Sequence, residues 1–258
     1  MDDDEIVSVA RALVGADHAV ALTGAGVSTA SGIPDFRGDG GLWERYDEND
    51  FHVQRFRANP GPFWTDWVDL HAELAGDADP NAAHESLADL EARGDLDAVV
   101  TQNVDGLHQR AGSGRVVELH GNGDRAVCRN CDATVDANEV IARVRDGETP
   151  PRCDCGGIFK PDTVLFGERL PETALSAAQM HARRCDVMVV AGTSLTVEPS
   201  ASMPRRAAER GATLAVVNDE PTSAANRADY VFRGDVTDVL PAIRDAIDGD
   251  SDDGGAIR

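Results

Sequence analysis

Four cysteines crowd one stretch of the chain. Cys128 and Cys131 form a C-x2-C pair, and after 21 intervening residues Cys153 and Cys155 form a C-x-C pair. Four thiolates complete a tetrahedral zinc shell with no open position, so this chemistry is structural rather than catalytic. The second pair is one residue shorter than the usual C-x2-C, which demands a tighter loop or help from Asp154. The rival reading is four reduced cysteines that serve only as packing. Cys185 stands apart, just before an apolar run, and reads as a small buried hydrophobe.

A second chemistry follows from polar residues at the ends of short apolar runs. Ala19 to Leu22 leads into TGAGVSTASGIPDFRG, residues 23 to 38. Gly24 and Gly26 allow a tight turn that brings bare N–H groups near a ligand phosphate. Ser28, Thr29 and Ser31 follow, then Asp35, Phe36 and Arg37. The turn departs from the dinucleotide fingerprint, because the third glycine would fall at Thr29; a plain tight turn is the rival reading. After the next apolar run come Gln102, Asn103, Val104 and Asp105, whose amides suit a carboxamide or sugar. Asp105 reads equally as the cap of a turn. His120, before Gly121 and Asn122, has the chemistry of a general base near neutral pH, against a structural histidine. His108 is placed to cap or bridge; His18, His52, His71, His84 and His181 sit in patterns that ask for nothing special.

The elements that position these groups alternate. Residues 2 to 15 read as a helix with acidic caps, and 98–101, 116–119, 186–192, 213–218 and 230–232 as strands. Helices are expected at 80–93, near 200–210 and at 236–247, with a disordered tail over 249–258. From about 40 to 77 the aromatics gather, including Trp43, Tyr46, Phe51, Phe63, Trp64 and Trp67, in a helical insertion that forms core, lines a cleft, or does both. The alternation implies an α/β fold, a doubly wound parallel sheet with a smaller domain. Ligands in such sheets bind beyond the carboxyl ends of the strands, where the polar motifs fall.

The chain has 258 residues, 41% of them hydrophobic, and a formal net charge of -22. Lys160 is the sole lysine among 24 basic residues. Such a surface repels nucleic acid and anionic membranes. No apolar run approaches the ~20 residues of a membrane span, and the acidic start is unlike a signal peptide, so a cytoplasmic location is expected. Clustered cysteines in a reducing compartment favour a metal over disulfides. The charge also suits a halophilic cytoplasm, since the Debye length falls to about 3 Å in molar salt; an acidic mesophilic protein is the alternative.

TGAGVSTASGIPDFRG, TQNVDGLHQRAG, ELHGN, the four cysteines, KPDTVLFGE, GTSLTVEPS and VVND occur in the order found in sirtuins. The resemblance spans residues 10 to 245 and implies an NAD-dependent protein deacylase with NAD and zinc. It implies a Rossmann-like large domain of 1–38, 78–123 and 159–248, with a helical module (39–77) and a zinc module (124–158) forming the small domain. His120 matches the catalytic base that takes a proton from a ribose hydroxyl, with Asn103 beside it. NAD would be held by Gly24, Ala25, Gly26, Ser28, Ile33, Asp35, Phe36, Arg37, Trp43 and Gln102 to Asp105. Its adenosine part falls to Gly192, Thr193, Ser194, Asn218, Asp219, Glu220 and Val236. An acyl-lysine peptide would lie between Val164, Phe166, Gly167 and Glu168 on one side and Leu195, Val197 and Glu198 on the other. Products would be free lysine, nicotinamide and acylated ADP-ribose; an ADP-ribosyltransferase or NAD hydrolase using the same cleft is the alternative. Desuccinylating sirtuins carry Tyr-x-x-Arg where this chain has Trp67 and Leu70, which favours acetyl or longer apolar acyl groups. The oligomeric state is not readable.

Overall fold

A computed structural model describes residues 2–36, 41–74 and 78–252, with side chains through residue 249. Its strands are β1 (Ala19–Thr23), β2 (Ala98–Thr101), β3 (Val116–Glu118), β4 (Gly121–Cys128), β5 (Thr134–Asp136), β6 (Phe159–Thr163), β7 (Val187–Ala191), β8 (Thr213–Val217) and β9 (Tyr230–Phe232). The helices are α1 (Asp3–Val14), α2 (Leu42–Arg45), α3 (Val53–Ala58), α4 (Pro60–Leu74), α5 (Ala82–Arg93), α6 (Leu107–Arg110), α7 (Ala137–Arg145), α8 (Glu172–Arg184), α9 (Met203–Ala208) and α10 (Val236–Asp252). Six strands form a parallel sheet in the order β3-β2-β1-β7-β8-β9, and β5-β4-β6 form an antiparallel one.

Strand periodicity of two divides the large sheet between two cores. Ala19, Ala21, Val187, Val189, Ala215 and Val217 face α1, α5 and α10. Val20, Leu22, Met188, Val190, Leu214 and Val216 face α8 and α9. A strand covered on both faces needs apolar residues at every position, which is why these segments read as uninterrupted runs. Local signals set the helix ends. Asp2 accepts the Asp4 N–H at 3.0 Å and three acids fill the first turn of α1. Asn81 and His84 cap α5 reciprocally, and Gly94 ends it with a φ of 87°. At the amino ends of the strands, Asp97, Asp186 and Asp229 accept the N–H groups of Ala19, His18 and Leu214 at 2.8–2.9 Å. Those donors lie where the ladder begins and would otherwise be unpaired.

The aromatic segment and the cysteine segment share a third core. Phe51, Phe56, Phe63, Trp64, Trp67 and Leu70 pack with Ala126, Val140, Ile141 and Phe159, and the Trp64 Nε1–H donates to the Phe159 carbonyl at 2.8 Å. Most of the expected aromatic stripe is therefore core, while Phe36, Trp43 and Phe166 remain partly exposed at its border. Two expectations change. The tail expected to be disordered from residue 249 instead continues α10 to Asp252, because extending an existing helix adds one hydrogen bond per residue fixed; residues 253–258 lie outside the described residues. The helix near 200–210 is a 3-10 turn (Ser200–Ser202) followed by the short α9.

Candidate active site

The carboxyl ends of five parallel strands bring the polar motifs together. β1 leads to Gly24, β2 to Gln102, β3 to His120, β7 to Gly192 and β8 to Asn218. The crevice opens beside β1 and β7, where the order of the chain along the sheet reverses. Gly24 and Gly26 have a different task from the one expected. Their N–H groups are not bare: Gly24 donates to the Ala191 carbonyl at 3.3 Å and Gly26 to Gly192 at 2.9 Å. A Cβ on Gly24 would stand 2.7 Å from the Thr193 Cβ, and one on Gly26 2.9 Å from the Gly192 Cα. Both glycines let two loops close on each other. In the stretch from Gly24 to Ser28 this leaves the Ala25 N–H as the donor with no acceptor among the described residues.

Ser28 is buried at the centre of a polar network. Its hydroxyl donates to Asp105 Oδ2 at 2.7 Å and accepts from Asn103 Nδ2 at 3.1 Å. Asn103 Nδ2 also donates to the Gly24 carbonyl at 3.1 Å, so the amide is oriented with its Oδ1 left for a ligand. Asp105 Oδ1 accepts the Leu107 N–H at 2.9 Å, the capping role that its sequence position also allowed. Burial pushes the Asp105 carboxyl above its ordinary range. Gln102 Nε2 donates to Thr193 Oγ1 at 2.9 Å, and its Oε1 accepts from Ser200 at 3.0 Å. Val104 and Thr193 complete this wall.

Behind the network lie two histidines. His84 is fully buried, with Nε2 3.4 Å from Ser28 Oγ, and its ring meets His108 edge-on at 4.8 Å. His108 Nε2 sits 2.9 Å from Thr23 Oγ1. Burial holds His84 down at about 4 and His108 at about 3, so both are neutral at neutral pH. His108 does bridge, as its position suggested. His84 does more than its pattern asks; the signal for it was the third residue after the helix-capping Asn81. Among the others, His52 caps α3, His71 Nε2 lies 3.1 Å from the Gly123 carbonyl, and His18 stacks on His181.

His120 sits between β3 and β4, where the chain leaves one sheet for the other. Its Nδ1 lies 2.8 Å from the Gln102 carbonyl, which can only accept, so Nδ1 carries the proton and Nε2 is the free lone pair. Burial lowers its pKa while that hydrogen bond opposes the shift. The turn is rigid. Gly121 has a φ of 77°, and a Cβ there would collide with the Asp162 carbonyl. Glu118 accepts from Asn122 Nδ2 at 2.6 Å and pairs with Arg125 at 2.5 Å, and Arg125 reaches Asp162 at 2.8 Å. This chain of charges ties β3 to β4 and β6 on either side of His120.

The two segments with peptide-binding expectations face different degrees of prior engagement. Phe166 donates to the Phe51 carbonyl at 3.2 Å and accepts from Val53 at 2.9 Å, so its backbone is already paired. The Val164 N–H donates to the His120 carbonyl at 2.9 Å. Glu168 Oε2 accepts from the Leu165 N–H at 3.0 Å and from Lys160 Nζ at 2.9 Å, and Gly167 packs over the His52 ring. Across the cleft, Leu195 has a φ of 54°, a strained conformation for a branched residue. Ser194 and Glu198 are exposed, and the Val197 carbonyl accepts from Ser200. Trp43 stacks with Phe36 at 5.6 Å and meets Phe166 edge-on at 5.2 Å. Ile33 and Val236 are buried; Asn218 Nδ2 donates to the Glu220 carbonyl at 2.9 Å, and Asp219 and Glu220 are exposed. Asp35 accepts the Leu42 N–H at 2.9 Å through its backbone. Arg37 lies outside the described residues. Trp67 and Leu70 are both in the third core, and the Trp67 Nε1–H has no acceptor among the described residues.

The four cysteine sulfurs lie within 4.8 Å of one another, with Cys128 to Cys155 at 3.5 Å and Cys131 to Cys153 at 3.8 Å. Tetrahedral zinc with bonds near ~2.3 Å sets its sulfurs about 3.8 Å apart, so the set is positioned for such an ion. The short pair closes through Gly156, with a φ of 83°, and Gly157, where a Cβ would stand 2.6 Å from Cys128 Sγ. Asp154 is not among the clustered ligands. Cys185 is buried, and its thiol is pushed up to about 11.

Residues 24–199 match the Sir2 family model, and the chain belongs to that family. It is 54% identical to an NAD-dependent protein deacetylase of Haloarcula marismortui, over 94% of this chain and 95% of that protein. An NAD-dependent protein deacylase 2 of Archaeoglobus fulgidus is 44% identical, covering 93% and 95% respectively. The solved structure of a Sir2–p53 peptide–NAD+ complex superposes with a TM-score of 0.81 at 36% identity, covering 99% of each chain.

Proposed function

We infer that this protein is an NAD-dependent protein-lysine deacylase, which transfers the acyl group of a modified lysine to ADP-ribose and releases nicotinamide. The observation that carries the reading is His120, whose Nδ1 is fixed by the Gln102 carbonyl and whose Nε2 is left as a base at the mouth of the Sir2-type crevice. NAD, when bound, supplies the ribose carbon that receives the acyl oxygen as nicotinamide departs.

The chain's own residues fit that group by their polar atoms at the strand ends: the Ala25 N–H is left to donate and Asn103 Oδ1 to accept, while Gln102 is held beside them by Thr193 and Ser200. On this reading Asn103 orients the carboxamide or ribose, and Ser28 and Asp105 hold Asn103 in place. Ile33, Asp35, Phe36 and Trp43 cover the nicotinamide end and exclude water. Gly192, Thr193, Ser194, Asn218, Asp219, Glu220 and Val236 flank the adenosine part. His120 Nε2 takes the proton of a ribose hydroxyl. The acyl-lysine peptide lies between Val164 to Glu168 and Leu195 to Glu198. With Phe166 already paired to residues 51 and 53, the Gly167 side of that edge is what remains for it. Cys128, Cys131, Cys153 and Cys155 hold zinc away from the chemistry. A core of its own for the aromatic and cysteine segments supports a division into a large domain (1–38, 78–123, 159–248) and a small one (39–77, 124–158), although that core and its sheet also take in β6 and Leu165 from beyond the second boundary. Buried Trp67 and Leu70 favour acetyl or longer apolar groups over succinyl. The charge of -22 and the Haloarcula relative support a halophilic cytoplasm.

The test is incubation with NAD and an acetyl-lysine peptide, with products followed by mass spectrometry. Deacetylated peptide, nicotinamide and acetyl-ADP-ribose should appear in equal amounts, and His120→Ala should abolish all three with the fold intact. Nicotinamide release that does not depend on the peptide would assign an NAD hydrolase or ADP-ribosyltransferase instead.

A further inference from the structure

Beside the segment proposed to hold the peptide, and sharing only Glu168 with it, lies a cavity of about 250 Å³. Val53, Phe56 and Arg57 of α3 form one wall, and Arg129, Ile158 and Lys160 of the cysteine-bearing unit form the other. Its floor reaches Glu168, the last residue of that peptide segment.

The charge of this cavity is opposite to that of the molecule. Three cations line it against one carboxylate, in a chain whose net charge is -22. That carboxylate, Glu168, is already taken by Lys160 Nζ at 2.9 Å and by the Leu165 N–H. Lys160 is spent as well, since it also donates to the Pro161 and Thr163 carbonyls at 3.0 and 2.6 Å. Arg57 and Arg129 are different: neither side chain has a hydrogen bond or ion pair among the described residues. Each is exposed at the cavity rim with its donors free. A guanidinium pair over apolar walls is suited to a carboxylate carried on a short aliphatic stem.

We propose that this cavity receives acidic side chains of the acyl-lysine peptide, so that the enzyme selects substrates carrying Asp or Glu close to the modified lysine. The inference rests on the deacylase reading and names its substrate class. Charge complementarity and continuity with Glu168 are what favour a peptide occupant. An enzyme this acidic repels acidic proteins over most of its surface, and a local cationic recess offsets that repulsion where the substrate chain must lie.

The experiment compares two acetyl-lysine peptides, identical except for Asp and Glu or Ala beside the modified lysine, at one fixed KCl concentration. The zinc-loaded wild type, Arg57→Gln, Arg57→Lys and Arg57→Gln/Arg129→Gln are assayed, with zinc content and melting temperature checked for each. KM for the acidic peptide should be roughly three- to tenfold lower than for the Ala peptide in the wild type. Arg57→Gln should erase much of that ratio, the double variant the rest, and Arg57→Lys should keep part of it, with kcat on the Ala peptide unchanged. Equal KM values in the wild type, or a preference that survives in the double variant, would overturn the proposal. No deacetylation of either peptide would instead reject the deacylase reading, and this inference with it.

Discussion

Gly121 shows how one residue beside His120 is constrained. Its φ of 77° and the Asp162 carbonyl behind it leave no room for a side chain. Gly121→Ala should therefore displace the His120 turn and destabilise the protein by about 2 kcal/mol or more, measured by urea unfolding, with kcat falling further than the loss of folded protein explains. The buried histidines set a pH dependence. His84 and His108 are held well below their ordinary 6.5 by burial, so the unfolded chain binds protons that the folded chain refuses. Stability is then complete above about pH 6.5 and falls as pH drops through the interval toward their folded values. By about pH 5 each costs up to about 2 kcal/mol, so the melting temperature should fall on acidification and fall less steeply in His84→Gln. Much of this is legible in the sequence: the polar residues after each strand stand out there, but their division of labour does not. Glycines that close two loops and glycines that cradle a phosphate have the same spacing in one dimension, and only the partner at Gly192 tells them apart.

At the scale of elements, the parallel strands could be read because each is buried on both faces and so must be apolar throughout. β4, β5 and β6 could not. β4 runs Gly121–Cys128 through Asn122, Asp124 and Arg125, with neither alternation nor an apolar run. Its order comes from partners distant in sequence: the β6 register, the Glu118–Arg125–Asp162 chain and the cysteine cluster. α8 carries little signal in the sequence for a related reason, since it buries fully only Ala178 and Ala182 and so shows a weak apolar stripe. Removing the metal with a chelator should unfold this antiparallel unit first. Because Trp64 and Trp67 share its core, tryptophan fluorescence should change before the far-UV signal of the large sheet is lost. Simultaneous loss of both signals would show that the unit draws its stability from the large sheet rather than from the cysteines.

For the whole molecule the governing quantity is charge. Forty-six acidic residues face 24 basic ones. The described ion pairs are mostly solvent-exposed, such as Arg93 with Asp248 and Arg205 with Glu209, and each contributes little. Long-range repulsion among the remaining carboxylates dominates at low ionic strength and is screened as salt rises. The melting temperature should accordingly climb between low and molar KCl; a flat response would remove the halophilic reading while leaving the fold and the site untouched.

The position of Lys160 bears on what this enzyme looks like to reactive chemistry around it. The chain's one ε-amine is 8% exposed and locked between Glu168 and two carbonyls. A catalyst for unmasking lysines thus displays no side-chain amine of its own. Activated acyl thioesters and acyl phosphates in its surroundings would find no lysine on it to modify, and it could neither accumulate the mark it removes nor compete with its clients for its own cleft. An amine-directed reagent applied to the native protein should leave Lys160 unlabelled until the chain is denatured.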